Sequence, residues 1–221
     1  MLLFFTVIVL YSQQTYYYDI RLTRDLFDMS RIENNQQIES IIEGSPYLSD
    51  DFVPGVLFTT TKTKYIDVPL RYNIYGDQIE FKTTEGQIMA LATPEIVEMV
   101  EFGEFTMVYI PYSNVKKIYH GFFRILEEGK ASLYSKSEVL FKDASEPAPF
   151  KQAESAKFIN KPDSYYIRVG VEQAKKIGNK KELINILSDH QNEITTFIKK
   201  KNIKINKPED LKNLVQYYNT L

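Results

Sequence analysis

An α+β fold is predicted: mainly antiparallel β-sheet, sandwich- or roll-like, followed by a small β-hairpin and C-terminal helices. Three observations carry this. From Gly44 to Lys142, short runs of strand-forming residues recur between turn residues. The aromatic load is 16 Tyr and 14 Phe without a Trp, which suits side chains packing on pleated faces. Beyond Lys180 the apolar spacing lengthens from two residues to three or four, the helical period.

The chain opens with thirteen uncharged, almost wholly apolar residues, Met1 to Gln13. A permanent membrane span needs about 20 residues, whereas an export signal needs an apolar region of roughly 7–15. Residues 1–13 are therefore read as a signal peptide, cleaved near Ser12 to Gln14, and the missing basic start points to an upstream start codon. Residues 14–43 form an N-terminal arm: Tyr16-Tyr17-Tyr18 looks extended, while Leu22, Leu26, Met29 and Ile32 keep helical spacing.

Residues 44–142 form the β-rich domain. Pro54-Gly55 predicts a turn with Gly in the left-handed position, and Val56 to Thr60 a strand after it. Leu70 to Tyr75 alternates, placing Leu70, Tyr72 and Ile74 on one face and Arg71, Asn73 and Tyr75 on the other. Arg71, Tyr72 and Tyr75 are read as serving sheet structure and not chemistry. Tyr72 is expected in the core, and Arg71 matters less unless an acid on a neighbouring strand pairs with it. Gly76-Asp77 marks a tight turn into Gln78–Lys82, where Ile79 and Phe81 share a face. Thr93-Pro94-Glu95 has the features of a helix start, predicting a two-turn helix with Glu95, Glu98 and Glu101 opposite Ile96, Val97 and Val100. Strands over Phe105–Ile110, Gly121–Leu126, Ala131–Tyr134 and Val139–Phe141 follow.

Residues 143–152, with Pro147 and Pro149, read as a semi-extended linker. Residues 153–221 form a C-terminal β-hairpin and helical module expected to dock on the β-domain. Strands over Ala156–Asn160 and Tyr165–Val169 flank the turn Lys161-Pro162-Asp163, with a short strand near Gln173–Ile177. Leu183, Ile184 and Leu187, then Ile194, Phe197 and Ile198, then Leu211, Leu214, Val215 and Tyr218 mark three apolar helix faces. Such short helices are marginal alone, since lengths below about 12–15 residues are unstable in water.

Composition excludes several functions. A net charge of −2 argues against nucleic-acid binding through global basicity. Without cysteine there is no thiolate catalysis, no Cys-ligated metal and no lipid attachment at an N-terminal Cys, and a bacterial envelope fits better than a disulfide-rich secretory pathway. The nine glycines are never closer than eight residues, so a Gly-rich phosphate cradle cannot be written. His120 and His190 lack partners at metal-ligand spacing. Asp50, Asp51 and Asp143 form no EF-hand loop. The basic patch of Lys199, Lys200, Lys201, Lys204 and Lys207 is read as a solvated helix end. No catalytic, cofactor-binding or metal-binding residue is assigned, and no cofactor is expected.

Ile42 to Leu48 with Phe52-Val53-Pro54-Gly55, and Val68 to Tyr75 with Ile79-Glu80-Phe81, resemble a family of exported Bacteroidetes proteins of unknown function. So do Gly121-Phe122-Phe123 leading to Glu128-Gly129-Lys130, Tyr165-Tyr166-Ile167, Asn179 to Leu183, Glu209-Asp210-Leu211 and Tyr217-Tyr218-Asn219. The resemblance implies export to the periplasm or cell surface of a Gram-negative cell and carries no activity. The expectation is a non-enzymatic envelope protein binding a protein, glycan or lipid, with no nucleic acid and no transmembrane span in the mature chain. The alternative is a hydrolase of envelope glycans using two carboxylates about 5–10 Å apart.

Overall fold

The computed structural model describes residues 14–17, 30–31, 42–114, 117–146 and 154–221. The apolar run at 1–13, most of the arm at 14–43, and Pro147 and Pro149 of the expected linker lie outside the described residues. β1 (Gln14–Tyr17) and β2 (Ser30–Arg31) precede β3 (Val53–Thr59), β4 (Thr63–Asn73), β5 (Gln78–Lys82) and β6 (Ile88–Ala90). Then come β7 (Val97–Phe102), β8 (Phe105–Asn114), β9 (Lys117–Glu127), β10 (Ala131–Lys142), β11 (Lys157–Val169) and β12 (Ala174–Lys176). Helices α1 (Lys180–Ile186), α2 (Gln191–Lys201) and α3 (Pro208–Tyr218) close the chain.

The α+β composition is present, but the strands form one mixed sheet rather than two stacked ones. Its main path runs β12-β11-β10-β9-β8-β7-β3-β4-β5-β6-β2, with β1 on β4. Two pairings are parallel, β1 with β4 and β12 with β8. The second closes β8 to β12 into a ring, because β12 also pairs antiparallel with β11. Ile110, Phe123, Tyr134, Tyr166 and Ala174 form that ring's own buried cluster. Its aromatic rings meet edge to face, Phe123 on Tyr166 at 4.9 Å and Tyr112 on Phe123 at 5.2 Å. A larger cluster built on Leu57, Leu70, Tyr72, Phe81, Val100 and Phe122 fills the curve of β3 to β9.

The helices bury a third cluster against the outside of β10 and β11, where Leu133 and Ile167 face Leu183, Leu187, Ile194, Leu211 and Leu214. Leu133 and Ile167 are register partners, as are Tyr134 and Tyr166 one residue on. The period of two therefore sends one pair to the helices and the next into the ring. Polar contacts fix α3 in place. The Asn219 side chain accepts the Ala131 N–H at 2.8 Å and donates to the Ala131 carbonyl at 3.0 Å, acting as a one-residue strand neighbour. Gly129 leaves the space, since a Cβ there would stand 2.3 Å from Asn219 Nδ2. The fully buried Tyr218 donates its hydroxyl to Asp189 at 2.8 Å, and Lys130 pairs with Asp189 at 3.2 Å.

Three expectations are corrected. The helix expected after Thr93 is a single 3₁₀ turn, Pro94–Ile96, followed by strand β7. The register there shifts so that Phe58 faces Met99 while Thr59 faces Val97, leaving Glu98 as a bulge. That extra residue puts Val97 and Val100 on the same side at spacing three, which mimics a helical period, and Glu98 instead bonds Lys62. Pro54-Gly55 is not a turn but part of β3, and Gly55 is needed for close approach: a Cβ would stand 2.5 Å from the Glu101 carbonyl oxygen. Nor does Lys161-Pro162-Asp163 form a turn. β11 runs through it, with the register moving from Lys136↔Ser164 to Glu138↔Lys161, so an extra residue is absorbed where proline is tolerated.

Burial, then the Asp189 hydrogen bond, push the Tyr218 hydroxyl up to about 12, and burial chiefly does the same for Tyr166. Because these values are raised, the stabilisation is complete below the unfolded value near 10 and is lost as pH climbs through 12. An alkaline titration should therefore show a late class of tyrosines ionising together with loss of circular dichroism. Uniform ionisation of all tyrosines near pH 10 with the fold intact would contradict this.

Candidate functional site

The β9–β10 ladder is short. Only Leu133↔Glu127, Tyr134↔Ile125 and Ser135↔Arg124 pair before the two strands part. The turn between β4 and β5, residues 74–77, enters the gap. Asp77 adopts a left-handed φ of 50°, tolerated by Asp through local hydrogen bonding, while Gly76 gives its N–H to Asn73 at 2.8 Å. The Asp77 carboxylate takes the Tyr72 hydroxyl at 2.6 Å, the Phe122 N–H at 3.2 Å and the Lys136 ammonium at 2.8 Å. Lys136 also donates to the Phe122 carbonyl at 3.1 Å. Two side chains thus satisfy the backbone groups of Phe122 that the parting strands leave behind.

Burial, reinforced by the Asp77 charge and hydrogen bond, pushes the Tyr72 hydroxyl well above the ordinary tyrosine value. The phenol stays neutral and donates, which suits a strut and not a nucleophile. A Cβ on Gly121 would lie 2.5 Å from Asp77 Oδ2 and 2.9 Å from Lys136 Nζ. Gly121→Ala should therefore displace this ion pair and lower stability by about 1–3 kcal/mol, the usual range for overpacking. Thermal denaturation checks it, and an unchanged midpoint would remove the glycine from the network.

Beside the strut lies an open cleft of about 360 Å³. Half-buried Tyr47 and Phe105 supply aromatic walls, and the buried Tyr72, Phe122 and Met107 underlie the floor with Ile74. Its rim carries Arg124 from β9, Ser137 and Glu138 from β10, Asn160, Lys161 and Asp163 from β11, and Glu104 from the β7–β8 turn. The Arg124 guanidinium lies over the Phe105 ring at 4.6 Å. Asp163 accepts the Ser137 hydroxyl at 2.8 Å. Flat rings beside exposed donors and acceptors can hold a polyhydroxylated ring by stacking and hydrogen bonds together.

The residues singled out in the sequence lie elsewhere. His120 is exposed on β9 and stacks on Tyr109 at 6.0 Å, and both line a second hollow with Asp77 and Glu95. His190 packs edge-on against Tyr218, beside Asp189. Among the described residues, no three His, Cys, Asp or Glu side chains are grouped to hold a metal ion. Lys199, Lys200 and Lys201 are exposed on the last turn of α2, with Lys204 and Lys207 exposed beyond it.

Arg71, on the opposite face of β4 from Tyr72, does have an acidic strand neighbour. It stands opposite Glu80 in register and bonds it at 2.7 and 2.8 Å, and the Asn73 amide donates to the other carboxylate oxygen at 2.9 Å. Its guanidinium is stacked between Tyr47 at 3.6 Å and Phe52 at 4.4 Å. Arg124 and Lys136 escaped the sequence reading. Each sits in a strand where an outward-facing cation is unremarkable, and only the gap between β9 and β10 gives them a role.

Among the described residues no helix is long and apolar enough to cross a membrane. No family model, curated protein or solved structure matches the chain.

Proposed function

We propose that the chain is an exported, non-enzymatic binding protein of a Gram-negative cell envelope, periplasmic or surface-located, whose cleft holds a short glycan segment. The observation that carries the reading is the pairing of aromatic walls with a rim of charged and amide side chains in one open cleft. An acyl chain needs an enclosed, dry cavity, and this rim is the wrong lining for one. Export rests on the uncharged apolar run at 1–13. N-terminal sequencing of the mature protein from envelope fractions tests it: a start near Ser12 to Gln14 is expected, and an intact Met1 in the cytoplasm would overturn it.

Calorimetric titration with oligosaccharides released from the envelope tests the cleft. Saturable binding without new reducing ends is the expected result. Asn160→Ala, an exposed rim change, should weaken it about tenfold at an unchanged melting temperature, as loss of a buried hydrogen bond worth ~1.4 kcal/mol would. No binding by any such fraction would reject the reading. A glycan hydrolase is the second reading, favoured by Glu104, Glu138 and Asp163 reaching one cleft from three elements. Release of reducing ends, abolished by Glu138→Gln or Asp163→Asn, would select it.

A further inference from the structure

Side chains of three arginines are described, and their partners differ. Arg71 is held by Glu80 and by the Asp50 carbonyl. Arg168 donates to the carbonyls of Glu172 and Val171. Arg124 is half-buried in the cleft, and among the described residues its side chain has no partner besides Phe105, on whose ring it stacks. None of its nitrogens is buried, so its N–H groups face the water of the open cleft and can exchange that water for an acceptor on a ligand. Stacking on an aromatic ring fixes the plane of the guanidinium and leaves its edge donors for a planar, bidentate acceptor.

The rest of the cleft narrows what that acceptor is. Lys161 stands opposite Glu138 on the paired strands, while Asp163 accepts from Ser137 and Glu104 is exposed at the rim. Three carboxylates share the cleft with Arg124 and Lys161, which disfavours a dense polyanion such as a sulfated or phosphorylated chain. The same carboxylates are good acceptors for sugar hydroxyls. From this arrangement we infer that the ligand is an oligosaccharide with an isolated uronic acid, whose carboxylate docks on Arg124 while its neighbouring neutral sugars bond the acidic rim. The inference rests on the glycan reading of the cleft and adds the ligand's charge and the residue that selects it.

The test is calorimetric titration of the full chain with two matched probes. One is a mixed oligosaccharide carrying a single glucuronic acid, and the other is its carboxyl-reduced, neutral counterpart. The acidic probe should bind at least about tenfold more tightly, the range for a charge-assisted bidentate contact. Arg124→Gln should abolish that preference and bind both probes with the neutral affinity, while Arg124→Lys should keep part of it. Circular dichroism and the melting temperature establish that the variants fold, and Arg124→Lys keeps the question open to refutation if Arg124→Gln does not. Equal binding of the two probes by the native chain, or a preference that survives in Arg124→Gln, overturns the role of Arg124 and leaves the glycan reading standing. Failure of both probes to bind overturns the two together.

Discussion

Tyr72→Ala should lower the melting temperature by roughly 10 °C. Tyr72 is 2% exposed, at the junction of the main core and the Asp77 strut. Truncating a buried aromatic side chain costs about 3–5 kcal/mol, and at this chain length each kcal/mol moves the midpoint by about 2–4 °C. Two losses combine: the ring leaves a void beside Phe122, its edge-on neighbour at 6.1 Å, and Asp77 loses one of its three donors. Tyr72→Phe separates them. It keeps the ring and removes only the hydroxyl, so it should cost about 1.5–3 kcal/mol, the range for a hydrogen bond to a charged group. A melting temperature unchanged in Tyr72→Ala would reject the placement of this residue.

The second large effect is on the opposite face of the same strand. Glu80→Ala should cost about 3–5 kcal/mol, since breaking a buried pair leaves the other charge without compensation. Glu80 is 1% exposed and Arg71 11%, with Arg71 clamped between two aromatic rings that cannot accept its N–H groups in the plane. Arg71→Ala should be comparably severe, because among the described residues it leaves the Glu80 carboxylate with the Asn73 amide alone. The double change Arg71→Met with Glu80→Leu should recover most of the loss, as a buried pair replaced by apolar groups of similar volume is often close to neutral. Double-mutant analysis by chemical denaturation reads the coupling. Additive single effects would mean the two charges act independently.

Sequence periodicity reached the strands whose alternation is unbroken, and it stopped at bulges. Leu70 to Asn73 reads correctly because every step turns one side chain in and the next out. Val97 and Val100 do not, since Glu98 is an extra residue that only pairing with β3 reveals. Pro162 misleads in the same manner, a breaker by composition that the edge of β11 accommodates. The third helix is legible because Pro208 starts it and four apolar residues line one side. The cleft is a different matter. Its residues come from β8 to β11, the β4–β5 turn region and the segment around Tyr47, and no local pattern marks them. What assembles them is the parting of β9 from β10, a property of long-range register that neighbouring residues do not encode.

Closure of the ring has a kinetic meaning. The pairing that completes it, Ala174 with Tyr112 and Lys175 with Ser113, joins segments far apart in sequence, so it carries a large loop-closure entropy and belongs late in folding. Until β12 arrives, the second edge of β8 presents bare N–H and C=O groups beside an aromatic interior, the combination that invites pairing between chains. A chain emerging from the ribosome N-terminus first would hold that unfinished edge until residue 176 had emerged. Truncation before Ala174 should therefore leave that edge bare for good and raise aggregation above that of the full chain, which light scattering would read.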